Sequence, residues 1–235
     1  MVLILLAIAL APCFFLLWYF YHRDKYEPEP KKKIIKIFLI GALMVIPAGI
    51  IEIILIQGLN RISSGLLNIF ISSFVIIAPT EEFLKFMAVK RWIYHSTEFD
   101  EVMDGIVYTV AASLGFATVE NIFYVLQHGL SVGITRAFLA VPGHAFFGAL
   151  MGYYIGRARF AGEKENQLLI KGLLLAIVLH GTYDFLIFTK TAFALLIIAL
   201  IITLGFFVRE DLKKAELQSR ERLNQQNKEN NSSTG

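Results

Sequence analysis

Ionisable side chains stand inside stretches that are otherwise apolar: Glu52, Glu81, Glu82, Lys85, Glu120, His144, His180 and Asp184. In a membrane helix each costs about 2.5–3.5 kcal/mol on insertion scales, so each needs a reason to be there. In Pro79-Thr80-Glu81-Glu82-Phe83-Leu84-Lys85 the lysine follows the glutamates by the spacings that share one helical face, so it neutralises one and leaves the other available. A buried ion pair that only holds helices in register is the bland alternative. Pro79 lacks a backbone donor and predicts a kink just ahead of the pair. Glu120 shares a face with Phe116 and Ala112, and Ala111, Ala112, Ser113 and Gly115 beside them predict close approach by another backbone. His144 heads a stripe continued by Gly148, Gly152 and Gly156, a packing surface that turns the imidazole inward. His180 and Asp184 lie one turn apart, where the carboxylate can fix the ring's tautomer.

Depth joins these pairs. At 1.5 Å per residue, Glu120, His144 and His180 each lie about 12–14 Å from the outer end of their helix, with Glu81 at a comparable level. Independent structural pairs have no reason to share a level, so the residues predict one polar chamber. Its inventory suits activation of water. A glutamate serves as general base, and a histidine or Lys85 polarises a carbonyl or stabilises an oxyanion. In the alternative, Glu120, His144 and His180 are the three ligands of a catalytic zinc and Glu81 acts on the metal-bound water. Glu52 has only a bland reading, as a polar residue near a helix interface.

The elements that carry these residues must be membrane helices. Of 235 residues, 56% are hydrophobic and 17% charged, against about 25% charged in an ordinary soluble domain. Apolar runs lie at about 1–21, 34–56, 64–89, 103–127, 136–156, 168–189 and 191–208, each near the length that crosses a bilayer. The expected fold is an all-α polytopic bundle of about seven transmembrane helices over residues 1–210. A polar tail, 211–235, is expected to be a short helix followed by disorder. The first run is read as a retained helix, since its basic residues follow it rather than precede it. Thr189, Lys190 and Thr191 predict a tight hairpin between the last two runs. With seven alternating spans, 17 of the 22 Lys and Arg fall on the side of the first, third and fifth loops and the tail. Only Arg61, Arg136 and Lys190 lie opposite, and Lys85 and Lys171 sit in or at the edge of the membrane. The N-terminus is thus expected outside and the C-terminus in the cytoplasm. Lys31 to Lys33 read as an anionic-lipid contact. No basic patch interleaved with aromatics suggests nucleic acid, and the single Cys13 can form neither an intrachain disulfide nor a cysteine-based metal knuckle.

Four elements in this order, Glu81-Glu82-xx-Lys85, Phe116-xxx-Glu120, Gly143-His144-Ala145-xx-Gly148 and His180-xxx-Asp184, resemble the PrsW intramembrane proteases, relatives of the CAAX-processing and bacteriocin-processing superfamily. The resemblance covers about residues 75–190. It implies an endopeptidase in a bacterial plasma membrane that cuts a single-pass, anti-sigma-factor-like protein on its extracytoplasmic side and so starts a stress response. By the same resemblance Glu81, Glu82 and His180 are most directly tied to activity, with Glu120, His144 and Asp184 at the remaining motif positions. The CAAX proteases carry EExxxR and FxxxH, where this chain has its lysine one position earlier and a glutamate in place of the histidine. A proton- or cation-coupled transporter is the competing class, since Glu, His and Asp chains also mark ion pathways, although no inverted repeat is present. A scaffold or immunity protein without chemistry is a third.

Overall fold

The structure, a computed structural model, describes residues 2–233. Its elements are α1 (Val2–Tyr21), α2 (Lys31–Leu59), α3 (Gly65–Ile71), a π-helical turn (Ser72–Ile77), α4 (Ala78–Trp92), α5 (Val102–His128), α6 (Leu130–Phe138), α7 (Ala140–Arg159), α8 (Glu165–Phe188) and α9 (Leu196–Ser233), with short 3-10 turns before α8 and α9. No strand occurs among the described residues. Six segments are long and apolar enough to cross a membrane: α1, α2, α3 to α4, α5, α6 to α7, and α8 with the turn before it. The seventh apolar run forms the first half of α9, which then continues through the polar tail as one helix. The last two runs are joined through a short connection in which Lys190 takes φ of 50°, and α9 packs mainly against α7.

The bundle is organised around α5. Small residues line two of its faces because neighbouring backbones come too close for anything larger. On one face a Cβ at Gly41 would strike the backbone of Ala112, and one at Gly115 the backbone of Phe38, so α2 lies directly on α5. On the other, Gly152 meets Gly105, Gly156 meets Val102 and Gly148 meets Ser113, which brings in α7. The stripe headed by His144 is therefore the α5–α7 seam, and without a hydrophobic force between helices in lipid such close packing is what joins them. α1 covers a third side, where Asn121 Nδ2 donates to the carbonyl of Ala9 at 2.9 Å.

The third apolar run is broken where Pro79 stands. The proline ring cannot donate to the preceding turn, and the helix absorbs the missing bond by widening into the π turn at Ser72–Ile77. The fifth run is divided too. An amphipathic α6 precedes α7, so His144 lies in the second turn of α7 rather than deep in a longer helix.

One end of the bundle is tied together by ion pairs. Arg23, after α1, meets Glu216 of α9 at 2.9 Å. Arg222 of α9 meets Asp100, before α5, at 2.8 Å, and Lys90 of α4 meets Glu165 of α8 at 2.8 Å. The first, third and fifth loops and the polar half of α9 thus share an end, as seven alternating helices require. Beneath them Asp24, Glu29, Glu101 and Asp104 are buried together. Asp24 accepts from the amide of Glu29 at 3.0 Å, and Glu29 accepts from the hydroxyl of Tyr108. Burial pushes the carboxyls of Asp24 and Glu29 up to about 7.

Candidate active site

All seven residues singled out for chemistry converge between α4, α5, α7 and α8. Pro79 opens α4, and the next turn presents Glu81, Glu82 and, one turn on, Lys85. Lys85 is wholly buried and its ammonium reaches Glu81 Oε2 at 2.9 Å, Glu82 Oε1 at 2.8 Å and His144 Nδ1 at 3.1 Å. It bonds both glutamates rather than one, because its long stem reaches the i−3 and i−4 positions together. An ammonium has three protons, and the three acceptors use them all. The face of Phe116 closes over it at 4.3 Å.

These contacts set the tautomers. His144 Nδ1 accepts from Lys85, so its proton is on Nε2 and goes to Glu120 Oε2 at 2.9 Å. Glu120 is also 3.1 Å from Arg136 Nη2 on α6. Arg136 donates through Nε to Asn121 Oδ1 at 2.9 Å and stacks over Tyr124 at 4.1 Å. On α8, His180 Nδ1 donates to Glu82 Oε1 at 2.8 Å. Its Nε2 is then free, 3.5 Å from Asp184 Oδ2 and 4.0 Å from Glu81 Oε2. Separations of that size between polar atoms are those a bridging water fills. Phe147 of α7 stacks on His180 with ring centroids 5.3 Å apart and holds its plane.

A chamber of about 640 Å³ opens on this network, within the size range of small-molecule sites. Glu81, Glu120, His144, His180 and Asp184 line it, while Glu82 and Lys85 lie behind its wall. The two glutamates therefore differ in kind. Glu81 faces the chamber, whereas Glu82 is fully buried and orients His180 and Lys85. Glu81, Glu82, His144 and His180 bring one ligand atom each within 4.8 Å of one another, a group able to hold a metal ion. Their carboxylate and imidazole donors are of the types zinc takes. Glu120 stands outside this group, bound to His144 and Arg136.

Comparison with known proteins decides the family. Residues 29–209 match the family described as PrsW family intramembrane metalloprotease. The chain belongs to the PrsW family. It is 42% identical over 187 residues to protease PrsW of Geobacillus kaustophilus, covering 79% of this chain and 80% of that one. It is 37% identical to protease PrsW of Oceanobacillus iheyensis and 35% identical to that of Bacillus subtilis, each over 90% of this chain and 95% of the relative. No solved structure matches. The protein is thus an intramembrane protease and a multi-pass bacterial membrane protein.

Two residues of the PrsW chamber were not read as chemical from the sequence. Arg136 figured only as an outer basic residue, yet it is the counter-ion of Glu120. Glu52 is half-buried on α2 and lines the chamber instead of a helix interface. For Arg136 the available signal was a basic residue at the start of an apolar run that follows a lone intramembrane carboxylate.

Proposed function

We propose that this PrsW protease hydrolyses a peptide bond of a single-pass, anti-sigma-factor-like membrane protein, as the first cut in regulated intramembrane proteolysis during a stress response. The observation that carries the reading is the water-sized gap between Glu81, His180 Nε2 and Asp184 at the wall of a chamber large enough for a peptide segment. Glu81 takes a proton from a water held there and delivers it to the departing amine, while His180, oriented by Glu82, accepts a hydrogen bond from that water at Nε2 and aims it. The Lys85 ammonium, whose three protons are committed, acts on the developing oxyanion only through its positive charge from behind the wall, while His144 ties Lys85 to Glu120 and holds that charge in place. The polar surroundings replace bulk water and are set in place before reaction by the bonds from Lys85 to three partners.

Gln127, Ser131, Thr135 and Arg136 also line the chamber, so it opens toward the α5–α6 connection. That end is opposite the basic loops and the tail. With the N-terminus outside and the C-terminus cytoplasmic, cleavage falls in or just beyond the outer leaflet.

The donor set also suits a metal. Glu81, Glu82, His144 and His180 would hold it, in place of the set Glu120, His144 and His180 that the sequence suggested, and Lys85 would have to withdraw from three of them. A bound zinc would supply Lewis acidity and a more acidic water. Elemental analysis with chelator treatment separates the cases: stoichiometric zinc that is lost in His144→Ala favours ligation, and full activity of metal-free protein rejects it.

Purified protein incubated with a single-pass anti-sigma-factor substrate is expected to give a cleaved product that disappears in Glu81→Gln and His180→Ala. If both variants cut as well as the parent, the proposed chemistry is wrong. Coupled transport through the same chamber is disfavoured by membership of a protease family.

A further inference from the structure

Five residues of α2 face the chamber at helical spacing: Val45, Ala48, Gly49, Glu52 and Ile53. Glu52 alone among them is ionisable. Its Oε1 is shut off from solvent and has no hydrogen-bond partner among the described residues. The guanidinium in the chamber wall is turned elsewhere, Arg136 lying against Glu120, Asn121 and the face of Tyr124. On α8 Asp184 Oδ2 is likewise buried without a hydrogen bond, 3.5 Å from His180 Nε2. A buried polar atom without a partner is costly, by about 1–3 kcal/mol, and asks for an explanation.

The substrate supplies one, reached when the half-buried Glu52 side chain turns into the chamber it lines. A peptide bond inside a transmembrane helix is enclosed by its own turns, and attack on its carbonyl requires that the helix be drawn out locally. In hydrocarbon every N–H and C=O released in this way must find a new partner. A chamber that accepts such a segment therefore needs hydrogen-bonding groups on the wall facing the reactive one. The reactive groups here come from α4 and α8, and α2, packed beside α4 and α5, offers Glu52 to the same chamber. From this we infer that Glu52 is a substrate-binding residue, its carboxyl hydrogen-bonding the main chain of an extended segment and holding the scissile bond against Glu81 and His180. The inference rests on the peptidase reading for its class of substrate, a peptide backbone released from helical form.

The test compares the parent with Glu52→Gln, which keeps a hydrogen-bonding group, and Glu52→Leu, which suits a membrane helix and removes it. Cleavage of the single-pass anti-sigma-factor substrate gives kcat and KM. Binding of the same substrate, dye-labelled, is measured separately with Glu81→Gln added to each protein, so that nothing is cut. In Glu52→Leu, KM is expected to rise about tenfold, the size of one hydrogen bond, with kcat within about twofold and binding weakened by the same factor. Glu52→Gln should stay within about twofold of the parent in both measurements, with unfolding temperatures alike in all. Equal KM and equal binding in parent and Glu52→Leu would overturn the inference. So would a loss confined to kcat in which Glu52→Gln is as defective as Glu52→Leu, since that marks proton transfer rather than binding. If the parent fails to cut while binding still separates Leu from Gln, the peptidase reading falls and the binding role stands.

Discussion

At the scale of residues, the site is a chain of hydrogen bonds in which almost every member has one task. Lys85 is its centre, because its ammonium meets two adjacent buried carboxylates at once. Lys85→Met leaves these charges facing each other, and removal of one partner of a buried pair costs about 3–5 kcal/mol. Thermal unfolding in detergent should show a loss of that order, partly restored when Glu82→Gln is added; a Lys85→Met protein as stable as the parent would contradict the network. The sequence made the pairing of Lys85 with Glu81 and Glu82 legible, since helical spacing brings them together whatever the tertiary fold. It did not reveal that the same ammonium reaches His144, 59 residues away, or that Arg136 answers Glu120. Those contacts depend on how α6 and α7 dock, which local spacing does not encode. Glu52 was legible as an ionisable residue in lipid, but nothing nearby in sequence told a chamber wall from a helix interface.

At the scale of elements, apolar runs mapped well onto helices because length and hydropathy are the bilayer's own requirements. Pro79 marked the first interruption as a kink, though not its π form, whereas the break between α6 and α7 carried no mark in hydropathy. The glycine stripe was readable as a packing surface, and the structure supplies its partner on α5. A side chain at Gly152 would be driven into the backbone of Gly105 and Ile106, which cannot yield as a flexible side chain can. Gly152→Val should therefore lower the unfolding temperature by an amount equivalent to about 1–3 kcal/mol or more and abolish cleavage as α7 carries His144 away. Gly58→Val, on α2 where nothing lies within 4 Å, should change stability by no more than about 0.5 kcal/mol. Similar unfolding temperatures for the two variants would show that the α5–α7 seam is less tight than described.

At the scale of the whole molecule, the ends of the helices are joined by buried acids and by the polar half of α9. Asp24 and Glu29 keep their protons to about pH 7, whereas in the unfolded chain they release them near 3.8 and 4.5. Between these values the folded state binds more protons than the unfolded one, so this contribution to stability is fully present at low pH. It is lost as pH rises toward 7 and is constant above. Asp24→Asn retains an acceptor for the Glu29 amide but cannot titrate. Unfolding temperatures measured from about pH 5 to about pH 8 should thus fall less steeply in Asp24→Asn than in the parent, and parallel curves would remove this source of pH dependence. The placement of charges along the chain also bears on biosynthesis. The span that ends in α4 carries Glu81 and Glu82 together with their own counter-ion, so the ion pairs form within one helix as it leaves the translocon. α5 has no such provision. Glu120 precedes Arg136 and His144 along the chain, and its charge is matched only when the next span folds back against it. Insertion of α5 and α7 is therefore a coupled event, and a ribosome stalled between them leaves a carboxylate in lipid without a partner.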